Sequence, residues 1–314
     1  NSNGTVGTLD KVAVAEVVGG NKYATLAGAI DAATEGATVM LLKDVTNQST
    51  FNINGRKKIS LNLNSYDLEL LPSNYIRVEN GALNLTGTGT VKSSYGGSYT
   101  PTISVIGSKN NVTDFSVVTV GENVTVANDG SYGMAILYAN DQKSSYGAKV
   151  TINGTLTSTY GFSVNGMVKQ TSGNVPEIIV GETGKIVDSS AAIYAAGYAK
   201  YTINGTMEGD EFGIEIRAGE LTVNETATII ASGDFSDPVP NGNGSTVTGA
   251  AIAVSQHTTN LPINVNINGG TISATGANGH ALYEIDTVGN EGANVSKDVT
   301  INVSGGNFSG GVYS

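Results

Sequence analysis

A short phrase is written twice in this chain, as "VTINGTLTSTYGFSV" from Val150 and as "YTINGTMEGDEFGIEI" from Tyr201, and looser copies surround it. Self-similarity constrains a fold more than composition does, because a segment that cannot bury its apolar face alone can do so against a stacked copy of itself. One strand family reads "VVTVGENVTV" from Val117, "VTINGTLT" from Val150, "IIVGETGKIV" from Ile178, "YTINGTM" from Tyr201, "LTVNETATII" from Leu221, "VNINGGTI" from Val265 and "VTINVSGGNF" from Val299. The second family follows the first: "GMAIL" from Gly133, "GFSVN" from Gly161, "AAIYA" from Ala191, "GIEIR" from Gly213, "AAIAV" from Ala250 and "HALYE" from His280. The starts of the first family are unevenly spaced, by roughly 20 to 45 residues, as expected when one coil repeats while its loops vary in length.

Each coil therefore supplies at least two strands and a Gly or Asn bend, and like strands stack in parallel around an aliphatic interior. The expected fold is all-β: a right-handed, single-stranded parallel β-helix. Asn suits the bends because its side chain bonds nearby backbone and tolerates the left-handed region. The segment "YATLAGAIDAATEG" is the one stretch with helical period. It places Tyr23, Leu26, Ile30 and Ala33 on one face, with Thr25 as N-cap and Gly36 as C-cap. Such a helix would cover the open end of the first coil, so residues 1–36 are expected to form an N-terminal segment with a capping α-helix and residues 37–314 one continuous β-helix.

Composition agrees. Charged residues make up only 14% of the chain while glycines number 42, a turn-rich rather than helical balance. Tyrosines outnumber phenylalanines, 14 to 6, and Trp is absent, so the core should be aliphatic with aromatics nearer the surface. A net charge of -11 repels phosphate backbones and anionic lipid, which argues against nucleic acid as a partner. With no cysteine and only two histidines, His257 and His280, neither a thiolate site nor a His-rich metal site can be built, and no cofactor is implied. No apolar run is long enough to insert in a membrane.

The segment "YATLAGAIDAATEGATVMLLKDV" and the phrases "VNINGGTISA" and "VTINVSGGNFSGG" resemble the pectate-lyase-like β-helix regions of large surface proteins from Gram-positive and gut bacteria. The resemblance runs from about Tyr23 onward. It implies a secreted or cell-surface setting, membership of a longer protein, and an adhesin-like role. Enzymes of that fold class use clustered carboxylates with a basic residue beside a uronate.

The nearest such cluster is "EGDEFGIEIR", with Glu208, Asp210, Glu211, Glu215 and Arg217. Glu215 and Arg217 are two apart on a strand and so share a face, where an exposed ion pair is the expected arrangement. Neighbouring rungs offer no matching carboxylates, so no catalytic set is assigned. "DFSDPVPNGNGS", with Asp234 and Asp237, lacks the ligand spacing of a calcium loop and reads as an irregular excursion, and the Asn-x-Ser/Thr triplets at Asn153, Asn204 and Asn224 read as turn and ladder residues.

Aligned on their apolar positions, the second-family strands give one inward column of Ile136, Val164, Ile193, Ile216, Ile252 and Leu282. They give two outward columns: Ala135, Ser163, Ala192, Glu215, Ala251 and Ala281, beside Leu137, Asn165, Tyr194, Arg217, Ala253 and Tyr283. Small residues flanked by Tyr, Arg and Asn would form a shallow groove in which a host or matrix glycan stacks on tyrosine. The expected binding residues are Asn165, Tyr194, Glu215, Arg217 and Tyr283. The leading functional expectation is a non-catalytic, adhesin-like module; a polysaccharide lyase or glycoside hydrolase and a passive stalk are the alternatives.

Overall fold

The structure is a computed structural model that describes residues 12–55, 57–94, 100–107, 116–137, 147–165, 175–241, 244–256, 261–285 and 298–314. His257 lies outside these residues. The described chain is mostly β, with long parallel sheets consistent with a β-helix or solenoid.

The first strand family forms one sheet. Ser116–Val120, Ala148–Ile152, Glu177–Val180, Ala199–Ile203, Gly219–Val223, Ile263–Ile267 and Val299–Val303 lie side by side in chain order as part of a 12-stranded sheet. Every pairing among them is parallel. The sheet begins differently: Ala15–Val17 pairs antiparallel with both Lys22–Tyr23 and Thr38–Leu41. The second family lies in a 16-stranded sheet that includes Val124–Leu137, Thr155–Val164, Lys185–Ala195, Thr206–Ile216, Ala250–Val254 and His280–Glu284. Successive strands of the first family are separated along the chain by strands of the second sheet, and one apolar core spans both sheets.

The interior follows from period-two patterning. In the first sheet Val118, Val150, Ile178, Tyr201, Leu221 and Val265 are in register and buried, as are Val120, Ile152, Val180, Ile203, Val223 and Ile267 two positions on. Aromatics contribute more than composition suggests, for Tyr201, Phe162 and Phe212 are among the largest buried side chains. Tyr201 keeps its hydroxyl satisfied by donating to Gly197 O at 3.1 Å, and burial holds its pKa well above the usual phenol value.

In the second sheet the expected inward column is split in two. Met134, Phe162, Ile193, Ile214, Ile252 and Leu282 share one column, while Ile136, Val164, Ala195, Ile216 and Val254 share the next. The register shifts between Thr157 and Tyr160 and between Ile186 and Ala191, where the long strands turn a corner. Relative to Ile136, Val164 and Ile216, the residues Ile193, Ile252 and Leu282 stand two positions along their strands, an offset that preserves facing, so every residue of the expected column is still buried. Facing does reverse at the corner itself: Ala192, Ala251 and Ala281, expected outside, belong to the main core.

The corners explain the repeated Gly and Asn. A Cβ on Gly161 would lie 2.2 Å from Ile186 Cγ2 and one on Gly213 2.3 Å from Ile229 Cγ2, so the chain can turn this close to the interior only without a side chain. At the corner after the first sheet, Asn224 Nδ2 donates to Asn204 Oδ1 at 2.8 Å and Asn268 Nδ2 to Asn224 Oδ1 at 3.2 Å. These amides bond from rung to rung. The left-handed backbone belongs instead to Asn64, Asn80 and Asn278.

The helix, α1, is Leu26–Ala32, shorter than the expected segment. Thr25 is its N-cap, accepting from Gly28 N at 3.1 Å, but Ala33 is the C-cap and Gly36 lies beyond the helix with φ +78. Leu26, Ala29 and Ile30 bury themselves in the same core as Val39 and Leu41.

Candidate functional site

The strand Thr206–Ile216 carries most of the chain's concentrated polar chemistry, and the structure divides it into two regions. At its far end Glu215 and Arg217 leave the rung on its outer side, as alternation requires. They are not exposed. Both are at 0% exposure beneath an antiparallel hairpin of Ser236–Asn241 and Gly244–Thr248. The expected irregular excursion is thus a regular cover, and the expected open groove is closed by the protein's own chain.

Arg217 is spent on this cover. Its Nε donates to Glu215 Oε1 at 2.5 Å, Nη1 to Asn241 Oδ1 at 2.9 Å, and Nη2 to Thr246 Oγ1 at 2.6 Å and Ser245 O at 3.1 Å. Glu215 accepts a further bond from Val247 N at 3.3 Å. Burial pushes the Glu215 carboxyl up to about 7 despite the opposing pull of the Arg217 charge and hydrogen bond, with a smaller upward push from Glu211. The guanidinium carbon also sits 4.9 Å from the centroid of the Tyr194 ring, a cation–π contact.

The other expected binding residues separate. Tyr194 is paired across the ladder with Glu215, not Arg217, because of the two-residue shift, and it is half-buried. Tyr283 lies two rungs beyond Glu215 in the same column, through Ala253, and is half-buried among aromatic rings. Those rings are Phe235 at 5.1 Å, His280 at 4.9 Å and Tyr313 stacked at 5.0 Å. A small outer core of Val247, Ala250, Ala253 and Ile285 continues this packing, so Tyr283 seats the hairpin region. Asn165 is half-buried at the end of its strand, past Ser163, which is the residue that pairs with Tyr194. Of the five expected residues, the structure brings together Tyr194, Glu215 and Arg217.

At the near end of the same strand lies an open polar cleft of about 580 Å³. Glu208 and Asp210 line it from one strand face, with Ser190 and Thr159 from preceding rungs and Ser232 from the following segment. Ser232 Oγ donates to Asp210 Oδ1 at 2.5 Å. Glu211 has its carboxyl pKa raised by partial burial and by the charge of Asp210. Sequence reasoning passes over the hydroxyl residues because they sit in the corner between the two strand families, where the repeat pattern has no apolar marker to align. Writing the residues just before each second-family strand in register would find them.

Among the described residues no group of three or more His, Cys, Asp or Glu is placed to hold a metal ion. Asp234 instead accepts from Ala277 N at 2.7 Å, tying one corner to the next. His280 is half-buried against Phe235, with ring centroids 4.5 Å apart. In comparisons with known families, curated proteins and solved structures, nothing matches the chain.

Proposed function

We propose that the chain is a right-handed, single-stranded parallel β-helix whose N-terminal helix covers the first rung, and that it serves as a rigid, non-catalytic module of a secreted or cell-surface bacterial protein. The resemblance to pectate-lyase-like regions of bacterial surface proteins supports the setting. The observation that carries the non-catalytic reading is the state of the Glu215–Arg217 pair, which is wholly buried and bonded to the covering hairpin. A lyase or hydrolase needs its acid, base and cation to converge on an open groove. Here the cation that could neutralise a uronate is committed to holding the hairpin, and the open carboxylates Glu208 and Asp210 have no cation beside them among the described residues. Repeated parallel rungs suit a stalk that presents loops at a distance.

The test is incubation with polygalacturonate, alginate and neutral glucans, following unsaturated product by absorbance and new reducing ends by colour. No turnover is expected, together with small-angle scattering of an elongated rod. Sustained product formation would overturn the reading in favour of the lyase or hydrolase alternative.

A further inference from the structure

Three strand-borne carboxylates in this protein are neutralised by a cation on the neighbouring rung. Lys92 pairs with Glu69 at 3.7 Å, Lys149 with Glu177 at 3.2 Å and Lys200 with Glu220 at 3.7 Å, each across one ladder step. Glu208 and Asp210 depart from this pattern. The ladder partner of Glu208 on the next rung is Ile230, and Asp210 is flanked by Ser232, so neither carboxylate meets a cation among the described residues. They are two residues apart on one strand and project to the same side, into the polar cleft. The charge of Asp210 already lifts the pKa of neighbouring Glu211.

The cleft's dimensions and chemistry select the ligand. Its volume, about 580 Å³, is within the ordinary range for a small-molecule site and holds a sugar residue with room to spare. Its walls are hydroxyls and carboxylates, so a ligand that is mainly apolar loses hydration without recompense. Two negative charges with no cation beside them among the described residues repel uronates and sialylated glycans. What fits is a ring bearing many hydroxyl donors and a positive charge: carboxylates accept from hydroxyls and ammonium alike, while serine and threonine hydroxyls both donate and accept. The Ser232 hydroxyl donates to Asp210 Oδ1, and a carboxylate has a second oxygen that can accept from a ligand.

We propose that this cleft binds a cationic amino sugar, a glucosamine residue within a polysaccharide, with Glu208 and Asp210 receiving the ammonium group and adjacent hydroxyls. The site is separate from the covered Glu215–Arg217 pair, and its failure would leave the stalk reading standing.

The experiment is calorimetric titration of the whole chain with β-1,4-linked glucosamine oligomers at mildly acidic pH and low salt. The N-acetylated oligomers, oligogalacturonate and calcium chloride are titrated in parallel. Binding of the glucosamine oligomer is expected, weakening as salt is raised. The double variant E208Q/D210N should weaken it by about tenfold or more, a loss of ~1.4 kcal/mol or greater. Ser190→Lys, which supplies the missing neighbouring-rung cation, should abolish binding while thermal melting shows the fold intact. Absence of binding, equal affinity for the N-acetylated oligomer, unchanged affinity in E208Q/D210N, or binding of calcium alone would each overturn the proposal.

Discussion

A buried ion pair at an outward position is the residue-scale feature that most alters how this chain is understood. Taking Glu215 and Arg217 out of water costs several kcal/mol per ion, which their attraction offsets only with good geometry and further hydrogen bonds. The hairpin supplies those bonds through Asn241, Ser245, Thr246 and Val247. Removing one partner strands the other. Arg217→Met is therefore expected to cost about 3–5 kcal/mol at pH 8, measured by denaturant unfolding, and less at acid pH where Glu215 can take up a proton and become neutral. The sign for the native protein follows from a folded-state pKa of about 7 against an ordinary 4.5. The folded state holds the proton more tightly, so this residue's contribution weakens stability as pH rises from about 4.5 to about 7 and is level outside that window. The profile of Glu215→Gln should be flatter across the same interval; an identical slope in both proteins would show that Glu215 does not titrate there.

At the scale of elements, the hairpin covers what the rungs leave open, and the proposed role of the helix is to do the same at the first rung. The hairpin covers polar side chains and the outer apolar cluster. The helix packs Leu26, Ala29 and Ile30 into the interior at its first-rung end. Nothing about its length would stabilise seven residues alone in water, so burial must hold it. Deleting residues 1–36 should uncover that interior together with the free strand edge of Thr38–Leu41, giving a protein that self-associates as concentration rises in sedimentation analysis. A deletion variant that remains monomeric throughout would argue against a capping role. The helix is legible in the sequence because its N-cap and apolar period are both local. Its C-terminus is not, because Gly36 serves a turn after the chain has already left the helix at Ala33.

Across the whole molecule, stability rests on many copies of one contact. Ile252, fully buried between Ile214 and Leu282 in register, stands for the series. Ile252→Ala is expected to cost about 2–5 kcal/mol by chemical denaturation, as for other buried large-to-small changes in well-packed cores. A cost below ~1 kcal/mol would mean that neighbouring rungs close the void, which close packing at this position opposes.

Local pattern dictates which residues alternate inward, which strands belong together, and that those strands stack in parallel, because period-two alternation and repetition are properties of neighbours along the chain. Val118, Val150, Ile178 and Val265 share one strand family by pattern alone, and they lie in one ladder for the same reason. The lateral register at the corners, and what lies over the outer face, come from the folded chain and not from that pattern. A displacement of two residues leaves no trace in an inward–outward alternation, yet it moves Tyr194 from Arg217 to Glu215. The cover is equally silent in the sequence: a hairpin of Ser, Pro, Asn and Gly looks like any solvated loop, although the Ser245 carbonyl accepts from a guanidinium 28 residues away. Whether Arg217 faces water or a carbonyl is set by that distant segment's path, which local pattern does not encode.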